Sequence, residues 1–367
     1  MKKIIKMIIT GGGTGGHLYP ALAIGEEIKS RNYNTKVRYV GSSFGIEKDV
    51  FPIINEKYNL LPIRGLQRGI SIKSLARNFL LPYRLLRSII QVKNIFNTFE
   101  PNIIIGTGGY ASALPLREGL KRKIPILLQE QNSFPGITTR WFANNSNKVC
   151  IGFKEAQHFI EKKCLFTGNP VRKNIGKANK IESLKSFELK ENLKTIFLFG
   201  GSQGSSLLND FMKNNISAFK QSNIQIIWQT GERQYSKLLD FQDEKIKIIP
   251  FINNMSIAYA ASDIVISRSG ALTCSEILLC KKPAILIPFQ NAAGNHQEKN
   301  ANALKKAGAC KMILEQNLNN INTIKLISNL LNNKNKLKKM SDASNQISKP
   351  KAATQIVDEA LNIINEI

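Results

Sequence analysis

One histidine, His17, closes a run of glycines, Gly11-Gly12-Gly13-Thr14-Gly15-Gly16, that follows the apolar segment Ile4–Ile9. A strand that ends in clustered glycines and turns into a helix aims backbone N–H groups at one point, a ready site for an anion. An imidazole there could take or give a proton near neutral pH, or could simply pack or cap. Pro20 suits the N-terminal turn of the helix that follows. Two further glycine loops also come after apolar runs: Gly106-Thr107-Gly108-Gly109-Tyr110 and Gly200-Gly201-Ser202-Gln203-Gly204. Together they suggest phosphates received from more than one side; repeated structural turns are the plainer alternative.

A fourth segment, Ser267-Arg268-Ser269-Gly270-Ala271-Leu272-Thr273-Cys274-Ser275-Glu276, enters a leucine-rich helix after Ile264–Ile266. Its N–H groups and hydroxyls suit a diphosphate. Glu276, one turn into the helix, could accept hydrogen bonds from both ribose hydroxyls, or Ser275 and Glu276 only cap the helix. The polar loop from Pro288 to Glu298 follows the next strand and so points into the same mouth. Metal chemistry is not expected: the three histidines, His17, His158 and His296, form no H-x-x-x-H pair, and there is no Asp-x-Asp. The charge of a departing diphosphate then falls to helix dipoles, loop N–H groups and a cation such as Arg172. Without a G-x-x-x-x-G-K-[ST] loop the chain is not an ordinary P-loop NTPase.

Positioning these loops requires alternating strands and helices. Strand-like runs occur at Val37–Val40, Asn102–Ile105, Ile124–Leu128 and Lys148–Ile151, with helical patterns between them. Such short apolar runs are typical of parallel strands buried on both faces. The second strand ends in Val40-Gly41-Ser42 with no carboxylate until Glu47, which counts against a dinucleotide site. The pattern breaks near Gly168-Asn169-Pro170-Val171-Arg172, and residues 173–194 are rich in Lys, Asn and Ser. The theme then restarts with Thr195–Phe199, and Ile224–Trp228, Ile246–Ile249, Ile264–Ile266 and Ala284–Ile287 continue it. The expectation is two doubly wound Rossmann-like domains facing a cleft, over residues 1–168 and 169–348, with a terminal amphipathic helix in 349–367. Residues 317–348 read as a surface helix with loops.

A length of 367 residues also favours two domains. No run approaches the roughly 20 apolar residues of a membrane span, and the apolar start is too short for a signal peptide. Five cysteines without C-x-x-C spacing argue against a disulfide framework and fit a reducing cytoplasm. A net charge of +26 implies an anionic partner surface, nucleic acid or acidic lipid. Residues 71–99 bear on that choice. Ile72, Leu75, Phe79, Leu80, Tyr83, Leu86, Ile89 and Ile90 alternate there with Lys73, Arg77, Arg84, Arg87 and Lys93, and Pro82 should kink or divide the segment. This composition suits an interfacial helix on an anionic membrane, or a core helix with snorkelling cations. A nucleic-acid site would interleave its basic residues with aromatic platforms; here the partners are mostly aliphatic, so no nucleic acid is expected.

Read together, Gly12-Gly13-Thr14-Gly15-Gly16-His17, Gly106–Tyr110, Glu130-Gln131-Asn132, Gly168–Arg172, Gly200–Gly204, Arg268–Thr273 and Pro288-Phe289-Gln290 resemble the peptidoglycan N-acetylglucosaminyltransferases that convert lipid I to lipid II. The resemblance spans nearly the whole chain. It implies a GT-B fold with an N-terminal acceptor domain, a C-terminal UDP-GlcNAc domain, and a terminal helix crossing back to the first. It implies transfer of GlcNAc, with inversion, to the C4 hydroxyl of MurNAc on undecaprenyl-pyrophosphoryl-MurNAc-pentapeptide, at the cytoplasmic face of the bacterial inner membrane, with no cofactor. Cell-wall synthesis and division proteins are further implied partners. The family's donor-binding positions fall on Thr14, Gly15, Gly16, Asn132, Arg172, Ser202, Ile252, Ala271, Leu272, Thr273, Cys274, Ser275, Glu276 and Gln297. Cys274 stands where the family has Val and should pack inward, and the loop from Asn291 to His296 is slightly longer than the family's.

An inverting displacement needs a base for the acceptor proton and a stabilised leaving group. His17 is the expected base, with Glu130 as alternative or helper; His17 could instead only position the diphosphate. Gly108, Gly109 and Tyr110 would hold the acceptor pyrophosphate, and Ile72, Lys73, Leu75, Arg77, Phe79, Leu80, Tyr83, Arg84 and Arg87 the anionic membrane surface. Competing enzyme readings are another GT-B transferase of UDP-sugars to glycolipids, or a UDP-GlcNAc 2-epimerase.

Overall fold

The structure, a computed structural model, describes residues 4–31, 34–54, 56–65, 79–319 and 321–366. The chain divides into two units, Met1–Arg172 with Lys351–Ile367, and Lys173–Pro350.

The first unit contains β1 (Ile5–Gly11), β2 (Thr35–Ser42), β3 (Tyr58–Leu61), β4 (Ile103–Gly108), β5 (Ile126–Glu130), β6 (Lys148–Ile151) and β7 (Leu165–Phe166). They form one parallel sheet in the order β3-β2-β1-β4-β5-β6-β7. Successive side chains of a strand leave opposite faces, so each strand feeds two cores. Ile8, Ile104 and Leu128 pack with Val92, Ile95 and Phe96 of the helix Leu81–Phe99. Met7, Ile9, Ile103, Ile105 and Leu127 pack with Leu18, Ile24 and Ile28 of the helix Gly15–Ser30. Ile356, Val357, Ala360 and Ile363 of the helix Ala352–Asn365 complete that second core. Arg31 fastens this last helix, donating to Asp358 Oδ1 (2.5 Å) and to the carbonyl of Thr354 (2.8 Å).

The second unit contains β8 (Lys194–Phe199), β9 (Ile224–Gln229), β10 (Ile246–Ile249), β11 (Ile264–Ser267), β12 (Ala284–Leu286) and β13 (Cys310–Met312). These are again parallel, in the order β10-β9-β8-β11-β12-β13. Both orders are doubly wound. The order in which strands are added reverses between β1 and β4 in one unit and between β8 and β11 in the other, and crevices at the carboxyl ends of such strands are where ligands bind.

Several details differ from the sequence reading. β3, β7 and β13 carried no clear signal, and all three lie at sheet edges, where a strand pairs on one side only and stays short. Residues 317–348 are not merely superficial. They form the helices Ile321–Leu331 and Lys334–Ile347, and Ile327, Leu330, Leu331 and Met340 enter the core of the second unit. The polar stretch 173–194 likewise buries Ile175, Leu184, Phe187 and Leu189, and Asn179 caps its helix. Pro82 lies in the first turn of the helix Leu81–Phe99, after Leu80 at its N-cap, as expected of a proline that divides the segment rather than kinks it. Pro20 lies deeper than expected, inside the helix Gly15–Ser30. It supplies no N–H to the carbonyl of Gly16. Among the described residues, no helix is long and apolar enough to cross a membrane.

Candidate active site

In the first unit the two switch-point loops touch backbone to backbone. Gly12 N–H donates to Gly108 O (3.3 Å), and a Cβ at Gly109 would lie 2.1 Å from Gly12 O. Only glycine permits that approach, and Gly109 has φ 79°. The helix Gly15–Ser30 opens from this junction with Thr14 at its N-cap, no side-chain cap and no acid in its first turn. Its first N–H groups therefore make no hydrogen bond to the N-cap side chain.

His17, in the first turn of that helix, packs against the second loop, its ring edge 3.0 Å from where Cβ atoms of Gly108 and Gly109 would stand. Its Nδ1 is 2.8 Å from Gln131 Oε1 and 3.0 Å from the carbonyl of Thr107. The register of β1 against β4 shifts at this point: Thr10 pairs with Gly106 and Gly11 with Gly108. Thr107 is left out of that ladder, and this frees its carbonyl for the imidazole. Its hydroxyl donates to His17 O (2.8 Å), so one buried threonine grips the histidine at two points.

Beneath the first loop is Glu47, fully buried. Its Oε1 accepts the N–H groups of Gly13 (2.8 Å) and Ser42 (3.0 Å). In the sequence Glu47 only marks how late a carboxylate follows the second strand; in the structure it anchors the loop. Tyr110 closes the far side. Its ring lies against Gly13, where a Cβ would come within 2.6 Å, and its hydroxyl donates to Ser42 Oγ (3.2 Å). Burial raises the pKa of this phenol, the bond to Ser42 opposes the shift, and the charge of Glu47 adds to it.

Glu130 is also buried, and four donors converge on its two oxygens. Oε1 takes Asn132 N–H (3.0 Å) and Asn132 Nδ2 (3.3 Å); Oε2 takes Gly136 N–H (3.0 Å) and the Thr139 hydroxyl (2.5 Å). So held, it organises the turn that presents Asn132. Arg172 stands over the ring of Tyr19, 5.4 Å from its centroid, beside the start of the helix Gly15–Ser30.

The second unit repeats the plan. After β8, Gly201 and Gly204 take positive φ (97° and 74°), and a Cβ on Gly204 would meet Thr230 O at 2.2 Å. Ser202 is exposed at the tip of this loop. Buried Gln229, which carried no signal in the sequence, donates to Gly201 O (3.1 Å) and accepts from Ile252 N–H (2.9 Å), tying the loop to the Ile252 backbone. After β11, Gly270 is the N-cap of the helix Ala271–Leu279, with no side-chain cap and no acid in the first turn. Leu272, Thr273 and Ser275 are half-buried on that helix, and Ser275 bonds back to Ala271 O (3.0 Å). Cys274 packs inward, fully buried, and burial pushes its thiol pKa well up. Glu276 is buried and accepts from the Tyr259 hydroxyl (2.9 Å). Gln297 sits beside this helix start: its carbonyl accepts from Ser269 Oγ (2.8 Å) and its Oε1 from Phe289 N–H (3.1 Å). Arg268 braces the loops from within, pairing with Glu315 (2.5 Å) and donating to Ile287 O (3.2 Å) and Pro288 O (3.3 Å). Among the described residues, no group of three or more His, Cys, Asp or Glu is arranged to hold a metal ion.

The basic apolar stretch is described only in part. Ile72, Lys73, Leu75 and Arg77 lie outside the described residues. Phe79 (86% exposed), Leu80, Tyr83, Leu86 (60%) and Ile90 face solvent, as does Arg87. Arg84 turns away from that face: its guanidinium lies over the ring of Phe44 (4.8 Å) and its Nη1 is buried.

Two doubly wound sheets, each with a glycine loop and an uncapped helix start at its switch point, define a two-domain α/β enzyme of the nucleotide-sugar type. The chain belongs to glycosyltransferase family 28: residues 7–151 match the family's N-terminal domain and residues 195–356 its C-terminal domain. It is 36% identical to the UDP-N-acetylglucosamine–N-acetylmuramyl-(pentapeptide) pyrophosphoryl-undecaprenol N-acetylglucosamine transferase of Christiangramia forsetii, over 100% of this chain and 99% of that protein. The protein of the same name from Flavobacterium psychrophilum is 38% identical, over 98% of each chain. The crystal structure of Acinetobacter baumannii MurG matches with a TM-score of 0.77 over 100% of both chains; at 22% identity that likeness is one of fold.

Proposed function

We propose that the chain transfers GlcNAc from UDP-GlcNAc to the C4 hydroxyl of MurNAc in undecaprenyl-pyrophosphoryl-MurNAc-pentapeptide, inverting the anomeric carbon. The full-length relatives carry the name of that reaction. The observation that supports the chemistry best is the placement of His17, a proton-transfer group held at the first switch point between two glycine loops.

In this reading His17 takes the proton of the acceptor hydroxyl as it attacks, a role worth about 10²–10⁴ in rate. The oxygens of Glu130 are already occupied by the donors that shape the turn 130–139, so its part is to hold Asn132. Gly108, Gly109 and Tyr110 receive the acceptor's diphosphate. The uncapped start of Ala271–Leu279 stabilises the departing UDP by its N–H groups and dipole. Ser202, Ile252, Gln297 and Glu276 are the remaining donor-binding positions of the second unit; Thr14, Gly15, Gly16, Asn132 and Arg172 are those of the first. No metal ion takes part. The exposed residues of Leu81–Phe99, with a net charge of +26 on the chain, seat it on the anionic cytoplasmic leaflet that carries the acceptor.

The test is transfer of radiolabelled GlcNAc from UDP-GlcNAc to a lipid I analogue in the presence of EDTA. Product is expected only with acceptor present. Donor turnover or epimerisation that ignores the acceptor, or a strict need for a divalent ion, would overturn the reading. His17→Ala should bind UDP-GlcNAc normally and lose about 10²–10⁴ in turnover; full turnover would remove His17 from the role of base.

A further inference from the structure

Three buried side-chain amides stand behind His17. Gln131 Oε1 faces the imidazole Nδ1 at 2.8 Å. The Nε2 of the same amide donates to Thr107 O (2.8 Å), Gln129 O (3.0 Å) and Gln129 Oε1 (2.5 Å). Gln129 in turn donates to Asn169 Oδ1 (3.0 Å), and Asn169 Nδ2 donates to the carbonyl of Gln131 (3.0 Å). All three residues are nearly inaccessible to solvent, at 0%, 2% and 3% exposure for Gln129, Gln131 and Asn169.

This network leaves one choice of proton position. The Thr107 carbonyl can only accept, so a nitrogen in hydrogen-bond contact with it must donate. The Gln131 amide could in principle be turned round, but its oxygen would then face three acceptors in a dry interior, an arrangement a buried network does not sustain. Its oxygen therefore faces the ring, and both neighbours of Nδ1 are acceptors. Nδ1 carries the hydrogen, and Nε2 keeps its lone pair.

We propose that Gln131 is a positioning residue: through the chain Asn169–Gln129–Gln131 it fixes His17 as the Nδ1–H tautomer and aims a basic Nε2 at the acceptor hydroxyl. The inference rests on His17 being the base. An amide does this without adding a charge next to the anionic acceptor. The titratable groups on the neighbouring elements are Glu47 behind Gly13, Tyr110 against Gly13, Glu130 in the turn 130–139 and Arg172 over Tyr19. None is hydrogen-bonded to the ring among the described residues, so Gln131 is the only side chain setting its tautomer.

With only three histidines in the chain, ¹⁵N-histidine labelling and long-range ¹H–¹⁵N correlation read the tautomer directly, His17→Ala supplying the assignment. The neutral His17 of the wild type should be protonated on Nδ1; protonation on Nε2 would overturn the inference whatever the enzyme's activity. Gln131→Met keeps the length and removes the acceptor. It should lower kcat roughly tenfold, the worth of one hydrogen bond, with KM for UDP-GlcNAc unchanged. It should also raise the Nε2–H population. In a His17→Ala background the same substitution should cost nothing further, whereas a merely structural glutamine would cost as much in either background. An additive loss would refute the positioning role. An Nδ1–H tautomer in a protein whose His17→Ala variant keeps full turnover would instead sink the base assignment and leave the hydrogen-bond assignment standing.

Discussion

Replacing Glu47 with leucine should loosen the first glycine loop while leaving the second unit untouched. The side chain is fully buried, and its Oε1 serves Gly13 N–H at 2.8 Å and Ser42 N–H at 3.0 Å. Leucine fills a similar volume but accepts neither bond. The Ser42 amide is then orphaned in the interior, at a cost of about 1–3 kcal/mol, and the half-buried Gly13 amide adds less. Removing a buried carboxylate whose Oε2 has no hydrogen-bond partner among the described residues gives part of this back. The net loss is about 2 kcal/mol, a thirtyfold rise in the opening of the loop. Hydrogen exchange read by mass spectrometry on peptides spanning residues 8–17 and 39–44 measures it, with peptides of β8–β11 as the internal standard. Glu47→Gln keeps an acceptor oxygen and should exchange within a few-fold of wild type. Gly12→Ala tests the same packing from the other side, since its Cβ would lie 1.8 Å from Glu47 Oε1 at φ 148°. Wild-type exchange in Glu47→Leu would refute the anchoring role.

Other expectations are independent of that loop. Arg268→Met strips Glu315 of its partner and frees the carbonyls of Ile287 and Pro288. It should destabilise the second unit by about 3 kcal/mol, as read from the fluorescence of the buried Trp228; an unchanged unfolding midpoint would contradict this. Lys282 has its pKa lowered to about 8, by burial first and by the nearby charge of Lys180 second. Between that value and the ordinary lysine value of about 10.4 the unfolded chain holds the extra proton, so this lysine makes stability rise with pH across the window. Lys282→Met should flatten the slope, and an identical slope in the variant would exclude the lysine as its source. Leu86→Asp with Ile90→Asp changes exposed positions only. Binding to vesicles containing anionic lipid should fall at least tenfold while turnover of a short-chain, soluble acceptor analogue holds; equal loss of both would place these residues in the fold instead.

The central strands were legible because burial on both faces writes a continuous apolar run, as in Ile103-Ile104-Ile105. Edge strands such as Cys310-Lys311-Met312 write no such run. The glycine loops were legible too, since a positive φ and a close backbone approach leave a composition that can be read directly. What composition cannot encode is a hydrogen bond between residues far apart in the chain. Gln131 meets His17 across 114 positions and Glu47 meets Gly13 across 34. Neither pairing has a period or a spacing. Gln229 lacks a signal for the same reason, although it joins the glycine loop 200–204 to Ile252. Arg84 shows the converse limit: its place in a basic, apolar stretch suggested lipid, and only the position of Phe44 reveals that its head group turns inward.

The helix Ala352–Asn365 has a consequence for how the chain is made. It supplies Ile356, Val357, Ala360 and Ile363 to a core whose other members were synthesised before Arg172. About 180 residues of the second unit separate the two. At ~5–20 residues per second, the first unit therefore waits on the order of ten to thirty seconds with one face of its sheet covered only by the helix Gly15–Ser30. Met7, Ile9, Ile103 and Ile105 are on that face. During this interval the nascent first unit offers an apolar surface that a chaperone can hold. A ribosome stalled within the second unit should present it persistently.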